Sequence, residues 1–119
     1  MGMIIIRFKL RSRTVYRLLF ILIFFPCIAS AADPEFSLSL RDHRFTPAEL
    51  RVPAGKKIKL LIDNQDASAE EFESHELNRE KVIPGKSKLF IFIGPLAPGR
   101  YPFFGEFNPK TAQGVIIAE

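Results

Sequence analysis

Short runs in which every second residue is apolar recur along this chain from residue 36 to its end. The run 36–40 reads Phe-Ser-Leu-Ser-Leu, and in 58–62 the residues Ile58, Leu60 and Ile62 hold every second position. In an extended strand successive side chains point to opposite faces, so this spacing collects the apolar groups on one face. The pattern therefore predicts half-buried β-strands.

Turn sequences separate these runs. Pro53-Ala-Gly55, Pro84-Gly85 and Pro98-Gly99 each stand just ahead of a predicted strand. Strands and turns alternate every 8 to 15 residues or so, and no amphipathic helical stretch of convincing length interrupts them. We therefore predict an all-β fold, a small antiparallel Greek-key β-sandwich forming one domain.

Two segments carry more specific predictions. The run 88–93 is apolar at almost every position, which predicts a strand buried on both faces. The segment 65–79 is rich in glutamate, so we predict that it lies outside the core and contains at most one helical turn.

The N-terminal segment has a different character. Five basic residues lie between Met1 and Arg17, an apolar run covers 18–28, Ala29-Ser-Ala31 follows, and no acidic residue precedes Asp33. This order is typical of a secretory signal peptide. It predicts a signal peptide at 1–31 cleaved after Ala31, a domain at 32–119, and export to the periplasm.

Two other interpretations of this segment are less favoured. A retained membrane anchor needs roughly 20 uninterrupted apolar residues, and the uncharged stretch 18–32 is shorter. A lipid anchor on Cys27 is disfavoured because Phe24-Phe25-Pro26 lacks the small residue expected before a lipidated cysteine.

Cleavage would change the charge and the redox chemistry of the chain. Five of the 17 basic residues lie in the predicted signal, which leaves 12 basic against 13 acidic residues and a net charge of about −1. Such a domain offers no concentrated basic face, so we predict no nucleic-acid partner. Cys27, the single cysteine, would also be removed.

The order of motifs resembles that of the cupredoxin family. Phe45-Thr-Pro47 comes first, the strand ending in Asp63-Asn64 follows, and Pro98-Gly99-Arg-Tyr101 leads through a loop to Gly114-Val-Ile-Ile. The resemblance covers nearly all of 35–119 and implies a cupredoxin-like sandwich. In that family the first metal ligand, a histidine, lies just after the Asn-containing strand. A cysteine, a histidine and a methionine follow in the last loop.

The last loop of this chain departs from that pattern. Residues 103–114 read Phe-Phe-Gly-Glu-Phe-Asn-Pro-Lys-Thr-Ala-Gln-Gly, without cysteine, histidine or methionine. A blue copper centre needs a thiolate supported by two imidazoles. We therefore predict that this chain does not form a type 1 blue copper site.

Carboxylates stand in the corresponding regions. Glu-Phe-Glu-Ser at 71–74 and Phe-Phe-Gly-Glu-Phe at 103–107 are similar to the cupredoxin-like periplasmic components of bacterial high-affinity ferrous-iron permease systems. The resemblance implies a copper or iron ion as cofactor. It also implies an iron permease or another periplasmic iron-uptake component as partner, a membrane link only through that partner, and a role in Fe(II) oxidation or delivery. A ferroxidase and a carrier both remain open.

Four residues are the candidate metal ligands: Glu71, Glu73, His75 and Glu106. Glu71 and Glu73 fall on one side of an extended chain, with Phe72 on the other. Glu106 is set among phenylalanines, where a carboxylate needs a partner or a metal ion to offset its desolvation. Carboxylate and imidazole suit Fe(II), Fe(III), Mn(II) or Cu(II) better than Cu(I).

Each candidate has a simpler explanation. The glutamates can form a solvated acidic face, Glu106 can point to water, and His75 can be a surface histidine. His43 is favoured only weakly as a ligand, because it lies in the turn 41–44 between cations. Phe103, Phe104 and Phe107 would either shield a site or belong to the core.

A different class of function also remains open, a metal-free sandwich that docks on a membrane transport complex. A hydrolase is disfavoured, since the sequence shows neither a recognisable Ser, His and Asp arrangement nor a glycine-rich phosphate loop.

Overall fold

The computed structural model describes residues 2–4, 21–28 and 30–119. The chain divides into two units, Met1–Ser30 and Ala31–Glu119. In the first unit, residues 2–4 and 21–28 form neither helix nor strand. The predicted signal peptide falls largely outside the described residues and stays a prediction. Within the described part of the chain, no helix is long and apolar enough to span a membrane.

The second unit is built entirely of β-strands, turns and loops across 31–119. Its strands, in chain order, are β1 (Glu35–Arg41), β2 (Arg44–Thr46), β3 (Glu49–Val52), β4 (Ile58–Asn64), β5 (Glu70–Ser74), β6 (Arg79–Ile83), β7 (Ser87–Ile93), β8 (Gly99–Gly105) and β9 (Gln113–Ala118). The predicted all-β fold is confirmed.

The strands form two sheets that pack face to face. One sheet has the order β2-β1-β4-β7, and the other has the order β3-β9-β8-β5-β6. Strand β1 is parallel to β4 and β3 is parallel to β9, whereas the other pairs are antiparallel. The sheets are therefore mixed rather than purely antiparallel, because the chain crosses between them instead of returning through a hairpin at every turn.

The core lies between the sheets and follows the sequence alternation. Alternate residues of β4, from Ile58 to Asn64, are buried. Three phenylalanines from different strands meet in the core: the Phe72 and Phe103 rings stack at 5.1 Å, and Phe45 meets Phe103 edge-on at the same centroid distance. Phe103 is thus a core residue rather than a shield over a surface site.

The acidic segment corrects our prediction that 65–79 lies outside the core. Residues 70–74 form β5, an inner strand of its sheet, with Glu70, Phe72 and Ser74 buried. The period-two alternation is present here, but Glu70 and Ser74 occupy positions normally held by apolar residues. The high glutamate content therefore concealed a strand.

Strand β7 corrects the prediction that both its faces are buried. Ile91 and Ile93 point into the core, whereas Phe90 and Phe92 are 45% and 42% exposed. The reason is that Phe90 and Phe92 alternate with Ile91 and Ile93, so they point away from the core on the outward face of the sheet.

Two polar side chains organise the connection from β4 to β5. The buried Asn64 amide donates hydrogen bonds to the carbonyls of Ser68, Ile83 and Pro84, at 3.0 to 3.2 Å. The Asp66 carboxylate accepts hydrogen bonds from the backbone amides of Asp42 and His43 in the β1–β2 turn.

Both residues of that turn have positive φ, 51° for Asp42 and 56° for His43. Asp66 holds this turn against the β4–β5 loop. His43 is therefore a turn residue, as we expected when we favoured it only weakly as a metal ligand.

Candidate metal site

The candidate site lies on the outward side of the five-stranded sheet, where β5 and β6 run side by side. Glu71 and Glu73 point outward from β5, and Glu80 of β6 stands directly opposite Glu73. One carboxylate oxygen from each of these three residues lies within 4.8 Å of the other two. Strand pairing thus brings together three carboxylates.

Contact between these carboxyl groups raises the pKa of Glu71. A hydrogen bond shared with the Glu80 carboxyl, partial burial and the nearby charges of Glu80, Glu73 and Glu106 raise the pKa of Glu71 to about 7. The hydrogen bond is the largest cause, because it requires a proton on one of the two carboxyl groups. Below about pH 7 the cluster therefore holds a proton that a bound cation would displace.

His75 lies at the end of β5, close to this cluster. Its Nδ1 is 3.8 Å from Oε1 of Glu73, and its ring is 5.8 Å from that of Phe104. The His75 side chain is 77% exposed, so it can change its rotamer without disturbing the core. A surface cleft of about 310 Å³ opens here, lined by Glu73, Ser74, His75, Asn78, Arg79 and Glu80.

Glu106 lies on the loop after β8, beside Glu71. Its backbone amide donates a hydrogen bond of 2.9 Å to the Glu71 carbonyl, and its charge contributes to the raised pKa of Glu71. The Glu106 side chain is exposed, which corrects our expectation of apolar surroundings. Phe103 points into the core and Phe107 is 51% exposed, so the neighbouring rings do not enclose it.

The structure thus brings Glu71 and Glu73 together, with His75 beside Glu73 and the Glu106 backbone against Glu71. It adds Glu80, which the sequence analysis did not single out. A hairpin signal was available: Asn78 has a φ of 51° in the four-residue turn between β5 and β6, and asparagine favours that conformation.

Glu70 occupies the inward side of β5 and has a different environment. It is 1% exposed, and its Oε1 accepts hydrogen bonds from the backbone amides of Glu71 and Phe107, at 3.0 and 2.8 Å. Its Oε2 accepts a hydrogen bond of 2.7 Å from the Asn108 amide. Glu70 therefore ties the last loop to β5 and places Glu106 beside Glu71.

Gly105 makes room for that carboxylate. A Cβ atom at this position would lie 2.6 Å from the Glu70 carboxyl carbon and 2.7 Å from the Ala112 Cβ. Such distances are far inside van der Waals contact, so only glycine fits at residue 105 without a shift of its neighbours. Strand β5 and the last loop thus meet around a hydrogen-bonded carboxylate.

The donor set fits a small divalent cation in its chemistry. Opposite ligands on metal–oxygen bonds of about 2.1 Å are about 4.2 Å apart, so a modest closure of partly exposed side chains would bring the three oxygens to one ion. Oxygen donors with one nearby imidazole suit iron and Cu(II), and they suit Cu(I) poorly.

Comparison with known proteins agrees with this architecture. The family model of the cupredoxin-like domain matches residues 14–118. The chain therefore belongs to the cupredoxin-like domain family. It is also 46% identical over 83 residues to uncharacterized protein RP394 of Rickettsia prowazekii, a match that covers 70% of this chain and 66% of that protein.

Solved structures show the same fold at low sequence identity. Auracyanin A, a blue copper protein from Chloroflexus aurantiacus, aligns with a TM-score of 0.64 at 13% identity, over 74% of this chain and all of that chain. The metal-binding domain of a Cu(I)-exporting P-type ATPase from Streptococcus pneumoniae aligns with a TM-score of 0.62 at 17% identity. That alignment covers 76% of this chain and 91% of that domain.

Proposed function

We propose that this protein is an exported, periplasmic metal-binding cupredoxin of iron uptake, which binds a copper or iron ion through carboxylates and assists the oxidation or delivery of Fe(II). The observation that carries the proposal is the convergence of Glu71, Glu73 and Glu80 within 4.8 Å. The chain has a cupredoxin-like fold, and solved structures with that fold include a blue copper protein.

The raised pKa of Glu71 supports a cation as the ligand. Carboxylates that crowd together repel one another unless protons or a cation lie between them. At neutral pH a divalent cation would displace the proton held between Glu71 and Glu80 and neutralise the repulsion. Hard oxygen donors also stabilise the higher oxidation state of iron or copper.

We further propose that this site is not a type 1 blue copper centre. The last loop contains no cysteine, and the carboxylate of Glu70 takes hydrogen bonds from Phe107 and Asn108 where that loop meets β5. The fully satisfied Glu70 would have to break these bonds to coordinate an ion. The outward Glu71 would instead exchange its carboxyl hydrogen bond with Glu80 for the ion.

Each residue has a distinct role in this proposal. Glu73 and Glu80 face each other across β5 and β6 and would hold the ion, while Glu71 would release its proton as the ion binds. His75 would supply an imidazole from the β5–β6 turn, and Glu106 would add negative charge at the rim. The bound ion would supply redox chemistry, with the electron from Fe(II) passing on to an acceptor in another protein, or it would itself be the iron delivered to a permease.

A metal-free docking module on a membrane transport complex is the second candidate function. The observation that favours it is the exposure of Phe90 and Phe92 on the opposite sheet. A docking role and a metal site are separable by experiment, because they involve different sheets.

Isothermal titration of the purified protein with Cu(II), and anaerobically with Fe(II), tests the metal proposal. We expect saturable binding that weakens by about tenfold or more in Glu80→Gln and Glu73→Gln. Glu76→Gln is the matched control, since Glu76 is an exposed glutamate of the β5–β6 turn outside the cluster. Affinity weaker than roughly 1 mM, equivalent to about −4 kcal/mol, would refute the proposal.

Stopped-flow oxidation of Fe(II), with and without Cu(II), then separates the two forms of the proposal. A rate above buffer that falls in Glu80→Gln would establish the oxidation role. Binding without a rate above buffer would establish the delivery role.

A further inference from the structure

The outward face of the four-stranded sheet carries two large exposed aromatic side chains. Phe90 and Phe92 lie two residues apart on β7, so both point outward, and each exposes more than two fifths of its surface. Leu61 of β4 stands directly opposite Phe90 and continues the apolar surface. We call Leu61, Phe90 and Phe92 the β7 aromatic patch.

Cations surround this patch. The Lys59 Nζ lies 3.9 Å from the centre of the Phe90 ring, and the Lys57 Nζ lies 4.5 Å from that of Phe92. Arg79 reaches over from β6 and donates a hydrogen bond of 2.8 Å to the Phe92 carbonyl. All three charged side chains with a recorded contact to Phe90 or Phe92 in the described chain are therefore positive, and one of them, Lys57, also lies 4.0 Å from the Asp33 carboxylate.

This arrangement differs from a scatter of surface apolar residues. Adjacent exposed aromatic rings with an arginine close by are typical of protein interfaces, where Phe and Arg are enriched although Lys is depleted. The lysines hold positive charge directly over the rings, which any partner must meet at the same time as the apolar surface. Exposing two phenylalanines to water is unfavourable, and an exposed apolar patch with charged residues around it is typical of an interaction site.

We propose that the β7 aromatic patch docks an acidic segment of a partner protein, whose apolar side chains contact Phe90 and Phe92 and whose carboxylates pair with Lys57, Lys59 and Arg79. The two rings and Lys59 lie on the sheet opposite the metal site, whereas Arg79 of β6 also lines the cleft beside that site. The proposal goes beyond the proposed function in naming the surface and the chemistry of the partner.

The charges farther along the face favour a narrow protein segment over a flat anionic membrane. Glu35 stands opposite Lys59 on the β1 side, and Asp63 stands opposite Lys88. A membrane surface broad enough to reach both rings would also meet these two carboxylates. A segment lying along β7 from Phe90 to Ile93 would contact the cations nearest the rings. It would avoid Glu35, which lies two strands away, and Asp63, which stands opposite Lys88 near the start of β7.

NMR titration of the ¹⁵N-labelled protein at low salt provides the test. The probe is an eight-residue peptide that alternates Glu and Leu, and a peptide that alternates Lys and Leu is its charge control. We expect saturable shifts at 57–61 and 88–93 with the acidic peptide alone, weakened severalfold by about 0.3 M salt. A missing response at millimolar peptide, or equal shifts with both peptides, would overturn the proposal.

Two sets of variants locate the binding. Phe90→Ser with Phe92→Ser should weaken the acidic peptide by about tenfold or more, and Lys57→Glu with Lys59→Glu should do so while the rings remain. Val82→Ser is the matched control, because Val82 is 47% exposed on the other sheet. Urea unfolding confirms that each variant folds. Unchanged affinity in the lysine variant would overturn the charge argument even if the phenylalanine variant proved unstable.

Two further measurements address other occupants. Cosedimentation measures the affinity for vesicles that contain phosphatidylglycerol. If that affinity exceeds the affinity for the acidic peptide, the partner is a membrane rather than a protein. Shifts of the patch residues with protein concentration alone would assign the patch to a second copy of this chain. Either result would overturn the proposal, and unchanged metal titrations would show that the metal site is unaffected.

Discussion

Strand β5 carries carboxylates on both of its sides, and the two sides solve the same physical problem in opposite ways. On the inward side, Glu70 is buried and accepts three hydrogen bonds from N–H donors. On the outward side, Glu71 and Glu73 face Glu80, so carboxylate meets carboxylate. A buried carboxylate that is fully hydrogen-bonded stabilises the fold, whereas a crowded cluster creates an affinity for protons or cations.

The largest expected effect comes from removing the inward carboxylate. Glu70→Ala leaves the Phe107 and Asn108 amides without their acceptor, so we expect the free energy of unfolding to fall by about 3 kcal/mol. Urea unfolding measures it, and Glu76→Ala at an exposed turn position should change it by less than about 0.5 kcal/mol. Equal effects from the two variants would remove the distinction between the sides of β5.

A smaller loss should follow from crowding Glu70 without removing it. In Gly105→Ala the new methyl group overlaps the Glu70 carboxyl group, and we expect destabilisation of about 2 kcal/mol. Gly99→Ala is the matched control, because its new Cβ would meet nothing closer than 3.7 Å. If both alanines were tolerated equally, the close approach of Gly105 to Glu70 would carry no energetic weight.

The outward side predicts a pH dependence. The folded protein holds the pKa of Glu71 at about 7, above its ordinary value of 4.5, so it binds that proton more tightly than the unfolded chain does. This stabilisation is complete below about pH 4.5 and is lost as the pH rises to about 7. The urea midpoint should therefore fall between pH 5 and pH 8, and Glu71→Gln should flatten that fall. If the midpoint of the wild-type protein rose over this range while that of Glu71→Gln did not, the raised pKa of Glu71 would be contradicted.

The same proton predicts how metal affinity changes with pH. Binding of Cu(II) should strengthen as the pH rises from 5 to about 7 and then level off, because the Glu71 proton competes with the ion. Titration calorimetry in buffers of different ionisation enthalpy would count the released proton. The count should drop in Glu71→Gln.

The smallest effect is expected at the end of β5. His75→Ala should change the stability by about 0.3 kcal/mol, because His75 is 77% exposed and its Nδ1 is 3.8 Å from Glu73. The affinity of the His75→Ala variant for Cu(II) should still fall severalfold, because we propose that the imidazole coordinates the ion. A loss of stability as large as that of Glu70→Ala would show that the outward side also supports the fold.

The strands and turns could be predicted because they depend on local pattern. Period-two alternation marked β1 and β4, and the Pro-Gly turns marked the starts of later strands. Strand β5 was missed because its inward positions include Glu70 and Ser74. The burial of Glu70 depends on N–H donors from the last loop, and that of Ser74 on a carbonyl acceptor from β8. A polar residue in the core cannot be recognised until its partners are known.

The candidate site divides in the same way. Glu71 and Glu73 could be predicted to lie on one side of an extended chain. The absence of cysteine, histidine and methionine from 103–114 follows from the sequence itself. The part of Glu80 in the site could not be predicted, because its position opposite Glu73 depends on the register of β5 and β6. The exposure of Phe90 and Phe92 likewise depends on which face of β7 packs against the other sheet.

The amino-acid sequence by itself determined the β-rich architecture, the chemical types available for a site and the lack of a thiolate in the last loop. These properties reside in single residues and their spacing. Only the tertiary structure decided which carboxylate is buried, which three converge and which aromatic rings remain in water. Burial and proximity are set by contacts between residues far apart in the chain, and such contacts exist only once the two sheets have packed.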